Sequence, residues 1–220
     1  HQPVKVCIFY SLSNPLIRNM SRFVMILSLA LIVLISSSTI PKTAATPPAR
    51  YQNYKAFVKT ACNSTTYPML CYNSLSSYSS TIKSDPIKLC ITSLTLNVKS
   101  ANNATSVLSN LFKKAKSTSR RGVMMILKDC VEEMKDTVDE LKQAIAEMKK
   151  LKGGGISKEE HIKNVRTYVS SALTDEGTCT DGFEERKGNV ETKKKVKKTV
   201  SELSKITCNS LALITNYLRY

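Results

Sequence analysis

From Asp85 onward, apolar residues recur at spacings of three and four, with few glycines, one proline and no sustained alternation; this is the period of amphipathic helices. Asp85-Pro86 predicts the start of a first long helix, since an aspartate caps unpaired N–H groups and proline at the first helical position has no N–H to leave unpaired. Its apolar stripe runs Ile87, Ile91, Leu94, Val98, Ala101, Leu108 and Leu111. A second helix begins near Gly122, carries Leu127, Cys130, Met134, Val138, Leu141, Ile145 and Met148 on one face, and stops at Gly153-Gly154-Gly155. Ser157 to Glu160 form a capping-box pattern ahead of a third helix with Ile162, Val165, Val169 and Ala172 inward. After a turn at Gly188-Asn189, Val196, Val200, Leu203, Leu211, Ile214 and Leu218 line a fourth. Short connections make neighbouring helices antiparallel, so the expected fold is all-α, an up-down-up-down four-helix bundle over residues 85–220.

The chain ahead of the bundle has a different texture. Residues 46–84 are a lead-in and a segment rich in Tyr and Ser, with Pro68 in its middle, expected to form a small helical hairpin against the end of the bundle. Residues 1–45 read as leader and signal peptide: Arg22 precedes Phe23 to Ile35, apolar except for Ser28, and small polar residues follow. A membrane span needs about 20 apolar residues, and this run is shorter. The expectation is therefore a secreted, extracellular protein, with no membrane attachment once the signal is removed, and Cys7 leaves with the leader. Export permits disulfides, and Asn63-Ser64-Thr65 and Asn103-Ala104-Thr105 are sequons that make Asn63 and Asn103 glycan candidates.

Charge adds a second kind of information. The chain carries +16, of which residues 1–45 hold four basic and no acidic groups, leaving +12 on the rest. A field of that sign attracts polyanions; outside the cell an acidic polysaccharide fits better than nucleic acid, and a merely solvated lysine-rich surface fits equally well. The tract Lys193 to Lys198 stands at the start of the fourth helix, the unfavourable end of the helix dipole for cations.

Six cysteines remain after processing, none in a CxxC pair and with His161 the single remaining histidine, so no metal or other cofactor is expected. Cys62 and Cys71 can close a hairpin, and Cys130 and Cys179 can tie the second helix to the third. Cys90 and Cys208 either form a third bridge between the first and fourth helices or stay as two buried thiols.

Several segments together resemble the plant invertase and pectin methylesterase inhibitors, over Tyr54 to Leu218. They are Thr60-Ala61-Cys62 through Tyr67-Pro68 to Cys71, Leu127-Lys128-Asp129-Cys130 with Val138 to Leu141, Val169 to Thr174, Thr178 to Phe183, and Cys208 to Leu213. The resemblance implies a four-helix bundle with an N-terminal helical hairpin and two bridges matching Cys62–Cys71 and Cys130–Cys179. It also implies a binding function in place of catalysis, in keeping with a sequence that has no acid-base constellation around a histidine and no phosphate loop.

The matching interface positions are Glu132, Asp136, Asp139, Thr178 and Asp181. The three carboxylates stand at i, i+4 and i+7 on one helix face, and Thr178 and Asp181 flank Cys179. By resemblance such side chains cover the substrate cleft of a pectin methylesterase in a one-to-one complex in the cell wall or apoplast, where acidic pectin is the polyanion open to the basic surface. An invertase is the alternative target; the Pro-Lys-Phe motif typical of that branch is absent, and Thr178 to Phe183 looks more like the methylesterase branch. A cationic bundle binding polysaccharide or membrane directly is the alternative of another class.

Overall fold

The computed structural model describes Cys7 and residues 49–117, 121–151, 157–183 and 190–218. The expected signal peptide, the Gly153 to Gly155 break and the Gly188-Asn189 turn lie outside the described residues. Seven α-helices are described: α1 Ala49–Asn63, α2 Pro68–Leu75, α3 Ser79–Ile82, α4 Pro86–Ser117, α5 Arg121–Lys150, α6 Lys158–Asp181 and α7 Val190–Tyr217. No helix among the described residues is long and apolar enough to cross a membrane.

The helix starts follow the local chemistry. Asp85 Oδ1 accepts from the N–H of Ile87 at 2.8 Å and of Lys88 at 3.1 Å, so the α4 cap forms as the sequence predicts. Just before it, Lys83 and Ser84 both take left-handed backbone (φ 51° and 60°), an unfavourable conformation for residues with a Cβ that turns the chain from α3 into α4. Ser157 Oγ accepts from the N–H of Glu160 at 3.2 Å and begins α6.

The four long helices pack in the order α4, α5, α6, α7, with α7 returning beside α4. Paired contacts whose numbers rise on one helix and fall on the other give the antiparallel order, as in Ser93–Ser210 with Asn97–Thr207, Glu176–Thr207 with Arg166–Leu218, and Cys130–Cys179 with Glu147–His161. Thr105 Oγ1 reaches Met134 O (3.3 Å) between α4 and α5, and Thr137 Oγ1 reaches Ala172 O (3.5 Å) between α5 and α6. Arg166 Nη2 donates to Leu218 O (2.9 Å) between α6 and α7. The fold is the expected all-α, disulfide-stapled four-helix bundle. The inward stripes of α5, α6 and α7 match the periodic reading, with Ile145 lying at the rim of the core.

On α4 the expected stripe is rotated. Ile87, Ile91, Val98 and Leu111 are only partly buried, and the core-facing positions include Cys90, Ser93 and Asn97. A pattern of apolar residues cannot register an inward polar side chain, and here polar partners wait across the core. Ser93 Oγ and Ser210 Oγ are 2.8 Å apart, and Thr207 Oγ1 lies 3.2 Å from Asn97 Oδ1 and 2.6 Å from Glu176 Oε1.

Glu176 is completely buried on α6. Burial pushes its carboxyl up to about 8, outweighing the downward pull of the Thr207 and Ser204 hydroxyls, with the Asp175 charge adding to the rise. Proton counting agrees. Thr207 has one hydroxyl proton yet lies within reach of Asn97 Oδ1, Glu176 Oε1 and Leu203 O, so a protonated Glu176 donating to the threonine oxygen leaves that proton for the others.

The hairpin of α1, α2 and α3 is closed by Cys62–Cys71 and packs against the last turns of α7 and the first turns of α4, at one end of the bundle. The Asn209 amide pairs with the Tyr67 peptide through two bonds of 2.9 Å. Asn216 Nδ2 donates to Ser64 O at 3.0 Å, and Phe57 meets Tyr217 edge to face with ring centres 5.9 Å apart. These anchors hold the hairpin against the last turns of α7.

The third bridge is not Cys90–Cys208. Cys208 is joined to Cys7, with Cα atoms 5.5 Å apart, and Cys90 is a free, buried thiol. The pairs Ser93/Ser210 and Asn97/Thr207 set Cys208 level with residues 95 and 96 of α4. Cys90 is then about five residues, or about 8 Å, away along the axis, before any lateral separation. Disulfide Cα atoms lie about 4.4–6.8 Å apart.

Because folded Glu176 holds its proton to a higher pH than the unfolded chain does, its contribution to stability is complete below the ordinary carboxylate range and is lost as pH rises towards and through about 8. Glu176→Gln, which keeps the shape and cannot ionise, is expected to melt within experimental error of the parent at pH 4 and about 5 °C or more above it at pH 9 in a circular-dichroism melt.

Candidate functional site

The five expected site residues come from two adjoining helices, α5 and α6. Cys130 and Cys179 join these helices with Cα atoms 4.4 Å apart, as the resemblance implies. At the other end His161 Nδ1 lies 2.6 Å from Glu147 Oε2, while Lys150 Nζ lies 2.6 Å from Glu147 Oε1. Lys150, then His161, hold the Glu147 carboxyl below its usual range.

Together with the contact between Thr137 and Ala172, these fixed points define the register. Glu132 lies level with Gly177, Thr178 with Val131, Asp136 with Leu173 and Asp139 with Ser170. All five site residues are exposed. They fall within a strip about 16 Å long along the helix pair, Asp181 at one end and Asp139 at the other.

Their individual settings differ. Glu132 meets Lys128 Nζ at 3.7 Å and Asp139 meets Lys142 Nζ at 2.9 Å, both exposed pairs within α5 worth little to stability. Asp136 stands between them on the same face. Thr178 donates its hydroxyl proton to Thr174 O at 3.0 Å and keeps its oxygen lone pairs for an incoming donor. Gly182 follows directly after α6, and a Cβ there would stand 3.3 Å from Ile126 of α5, so the helices come together closely at the Asp181 end. Met125 of α5, 57% exposed, adds an apolar contact at that same end.

A second group of carboxyls lies in the seam between the helices. Asp175 of α6 is half-buried and shares a hydrogen bond with Glu140 of α5. Burial first, then that bond and the Glu140 charge, then the charges of Glu133 and Asp136, push Asp175 up to about 7. Glu133 is raised too, by burial and then by Asp136, Asp129, Glu132 and Glu140. Two carboxyls in contact hold one proton between them because both cannot ionise cheaply. Glu140 Oε2 and Asp175 Oδ2 are buried and have no partner among the described residues.

Glu133, Glu140 and Asp175 were missed in the sequence. Glu133, Asp136 and Glu140 do stand at i, i+3 and i+7, a spacing as periodic as that of the expected stripe. Only the packing of α6 against α5 supplies Asp175. Among the described residues no group of three His, Cys, Asp or Glu side chains could hold a metal ion.

Comparison with known proteins gives the family and the fold. A family model described as plant invertase/pectin methylesterase inhibitor matches residues 56–213. Pectinesterase inhibitor 4 of Arabidopsis thaliana is 73% identical over 201 residues, which span 91% of this chain and 100% of that protein. The 21 kDa protein of Daucus carota is 33% identical over 199 residues, 90% of this chain and 96% of that one. Among solved structures, a mutant form of a pectin methylesterase inhibitor from Arabidopsis superposes with a TM-score of 0.56 over 74% of this chain and 98% of its own, at 16% identity, a likeness of fold. With the family model spanning most of the helical body and a whole-length relative at 73% identity, the chain belongs to the plant invertase/pectin methylesterase inhibitor family.

Proposed function

We propose that this protein is a secreted inhibitor of pectin methylesterase that acts in the cell wall by laying the α5/α6 face across the enzyme's substrate cleft in a one-to-one complex. The observation that carries the reading is the 73% identity, along the entire length of that relative, to a protein named as a pectinesterase inhibitor. The relatives at 38% and 32% identity also bear that name, which favours a methylesterase over an invertase as the target.

The physical case rests on rigidity and charge. Cross-linked helices present a fixed surface, so little conformational entropy is lost on docking. An interface of ordinary size, about 1,600 Å² in total, would take in the strip from Asp139 to Asp181. Glu132, Asp136 and Asp139 supply acceptors for donors on the enzyme's rim, Thr178 and Asp181 extend them towards α6, and Met125 adds apolar area. Exposed Asn63 and Asn103 remain the positions for glycans, on α1 and α4 and off this strip.

Titrating purified pectin methylesterase and invertase with the oxidised protein tests the reading: stoichiometric loss of methylesterase activity alone is expected. Asp136→Lys with Asp139→Lys should raise the inhibition constant by about 100-fold while leaving the helical circular-dichroism signal intact.

The protonated Asp175–Glu140 pair gives the inhibition a pH profile. A bound enzyme would bury this cluster further and so favour the protonated form, making binding strongest below about 7 and weaker as pH rises through that value. Asp175→Asn, which cannot ionise, should flatten the profile between pH 5 and pH 8 as measured by inhibition constants.

Secretion with cleavage downstream of Cys7 leaves Cys208 without the partner it has in the full chain. Mass mapping of alkylated, unreduced protein from the culture medium is expected to find two thiols, Cys90 and Cys208; recovery of a Cys7–Cys208 peptide would contradict that processing.

A further inference from the structure

Charge on the bundle is divided between two halves. The adjoining helices α4 and α7 carry eleven lysines against two glutamates, whereas the other adjoining pair, α5 and α6, carries nine lysines and arginines against twelve aspartates and glutamates. The lysines of α5 have carboxylates on their own helix, as in Lys128–Glu132, Lys142–Asp139 and Lys150–Glu147. Over its 32 residues α4 offers its lysines none.

Topology gathers much of this charge at one end. α4 runs antiparallel to its neighbours α5 and α7, so its last turns lie beside their first turns. The register from Ser93/Ser210 and Asn97/Thr207 sets Lys113 level with about residue 190, and Lys194 and Lys198 level with about residues 109 and 105. Lys113, Lys116, Lys194, Lys195, Lys198 and, at the start of α5, Arg121 are all exposed. These cations gather at one end of the bundle, within about 17 Å of height: Lys194, Lys195 and Lys198 on α7, Lys113 and Lys116 on the last turns of α4, and Arg121 on α5. Lysines in the first turns of α7 oppose its dipole, and the positive field of those turns adds to theirs. An extended polyanion would relieve both costs.

We infer that the lysine-rich end formed by α4 and α7 is a second binding surface, which takes a stretch of de-esterified polyuronate chain while the α5/α6 face is turned to an enzyme. The identity of the occupant rests on the reading as a pectin methylesterase inhibitor: hydrolysis of a methyl ester on a uronic acid polymer releases methanol and leaves a carboxylate, so that enzyme's product is a polyuronate. Attachment to the product would hold the inhibitor where the enzyme has just worked. The two surfaces lie on opposite helix pairs and carry opposite charge, so one need not displace the other.

The test measures binding of the oxidised protein to de-esterified polygalacturonate by calorimetry, with no enzyme present, and methylesterase inhibition separately. This keeps a failure of the second surface distinct from a failure of the inhibitor reading. Binding is expected to weaken steeply with salt. Lys194→Glu, Lys195→Glu and Lys198→Glu together should weaken it about tenfold or more. The same change of net charge on the other half, Lys135→Glu, Lys149→Glu and Lys163→Glu, should cost about twofold at most. Inhibition by the α7 triple variant should match the parent.

If the α7 variant loses helicity, Lys113→Glu with Lys116→Glu reports on the α4 side and should weaken binding likewise. Equal losses from the two triple variants, equal binding of fully methyl-esterified pectin, or tighter binding to phosphatidylserine vesicles than to polygalacturonate would each overturn the inference.

Discussion

The Cys130–Cys179 bridge fixes the register of α5 against α6, and the candidate binding face depends on that register. Once those two Cα atoms are 4.4 Å apart, antiparallel geometry decides every later pairing. Thr137 reaches Ala172 O, Glu147 meets His161, Asp175 meets Glu140, and Thr178 and Asp181 fall at the Glu132 end of the strip. A shift of one helical turn would carry Asp175 about 5 Å along the axis and separate it from Glu140. The cross-link thus sets chemistry as well as stability.

The other half of the bundle is registered without a covalent link between its helices. Ser93 with Ser210, and Asn97 with Thr207 and Glu176, form a polar layer inside an otherwise apolar core. Buried polar groups left unpaired cost more than apolar ones, so α4, α6 and α7 meet at one relative height. That layer also holds a neutral carboxyl at Glu176, while the seam between α5 and α6 holds a shared proton at Asp175. Both protons are kept at a pH where free carboxylates have lost theirs, which ties the rigidity of the body and the charge of its face to the same variable.

Charge separation is the large-scale counterpart. α4 and α7 are lysine-rich, whereas α5 and α6 are slightly acidic, and the order of packing makes each pair adjacent. With the net positive charge confined mainly to one side, an acidic face can persist on the other. A protein docking on α5/α6 therefore meets a field that the overall charge of the chain would not suggest.

Helical period, caps and cysteine spacing determined a good deal from the sequence alone. Asp85 and Ser157 begin their helices because a cap needs only neighbours in the chain, and the stripes of α5, α6 and α7 are legible because their inward positions are apolar. The bridges Cys62–Cys71 and Cys130–Cys179 followed from family resemblance in the sequence, as did the choice of the five exposed residues of the candidate face. What required three dimensions is whatever depends on two helices at once. Cys208 lies off the level of Cys90, Ser93 and Asn97 turn inward because Ser210 and Thr207 face them, and Asp175 keeps its proton because burial in the seam, and then contact with Glu140, disfavour its charge. A sequence displays the period of each helix, but the height at which two helices meet is set by packing between residues far apart in the chain, and these features follow from that height.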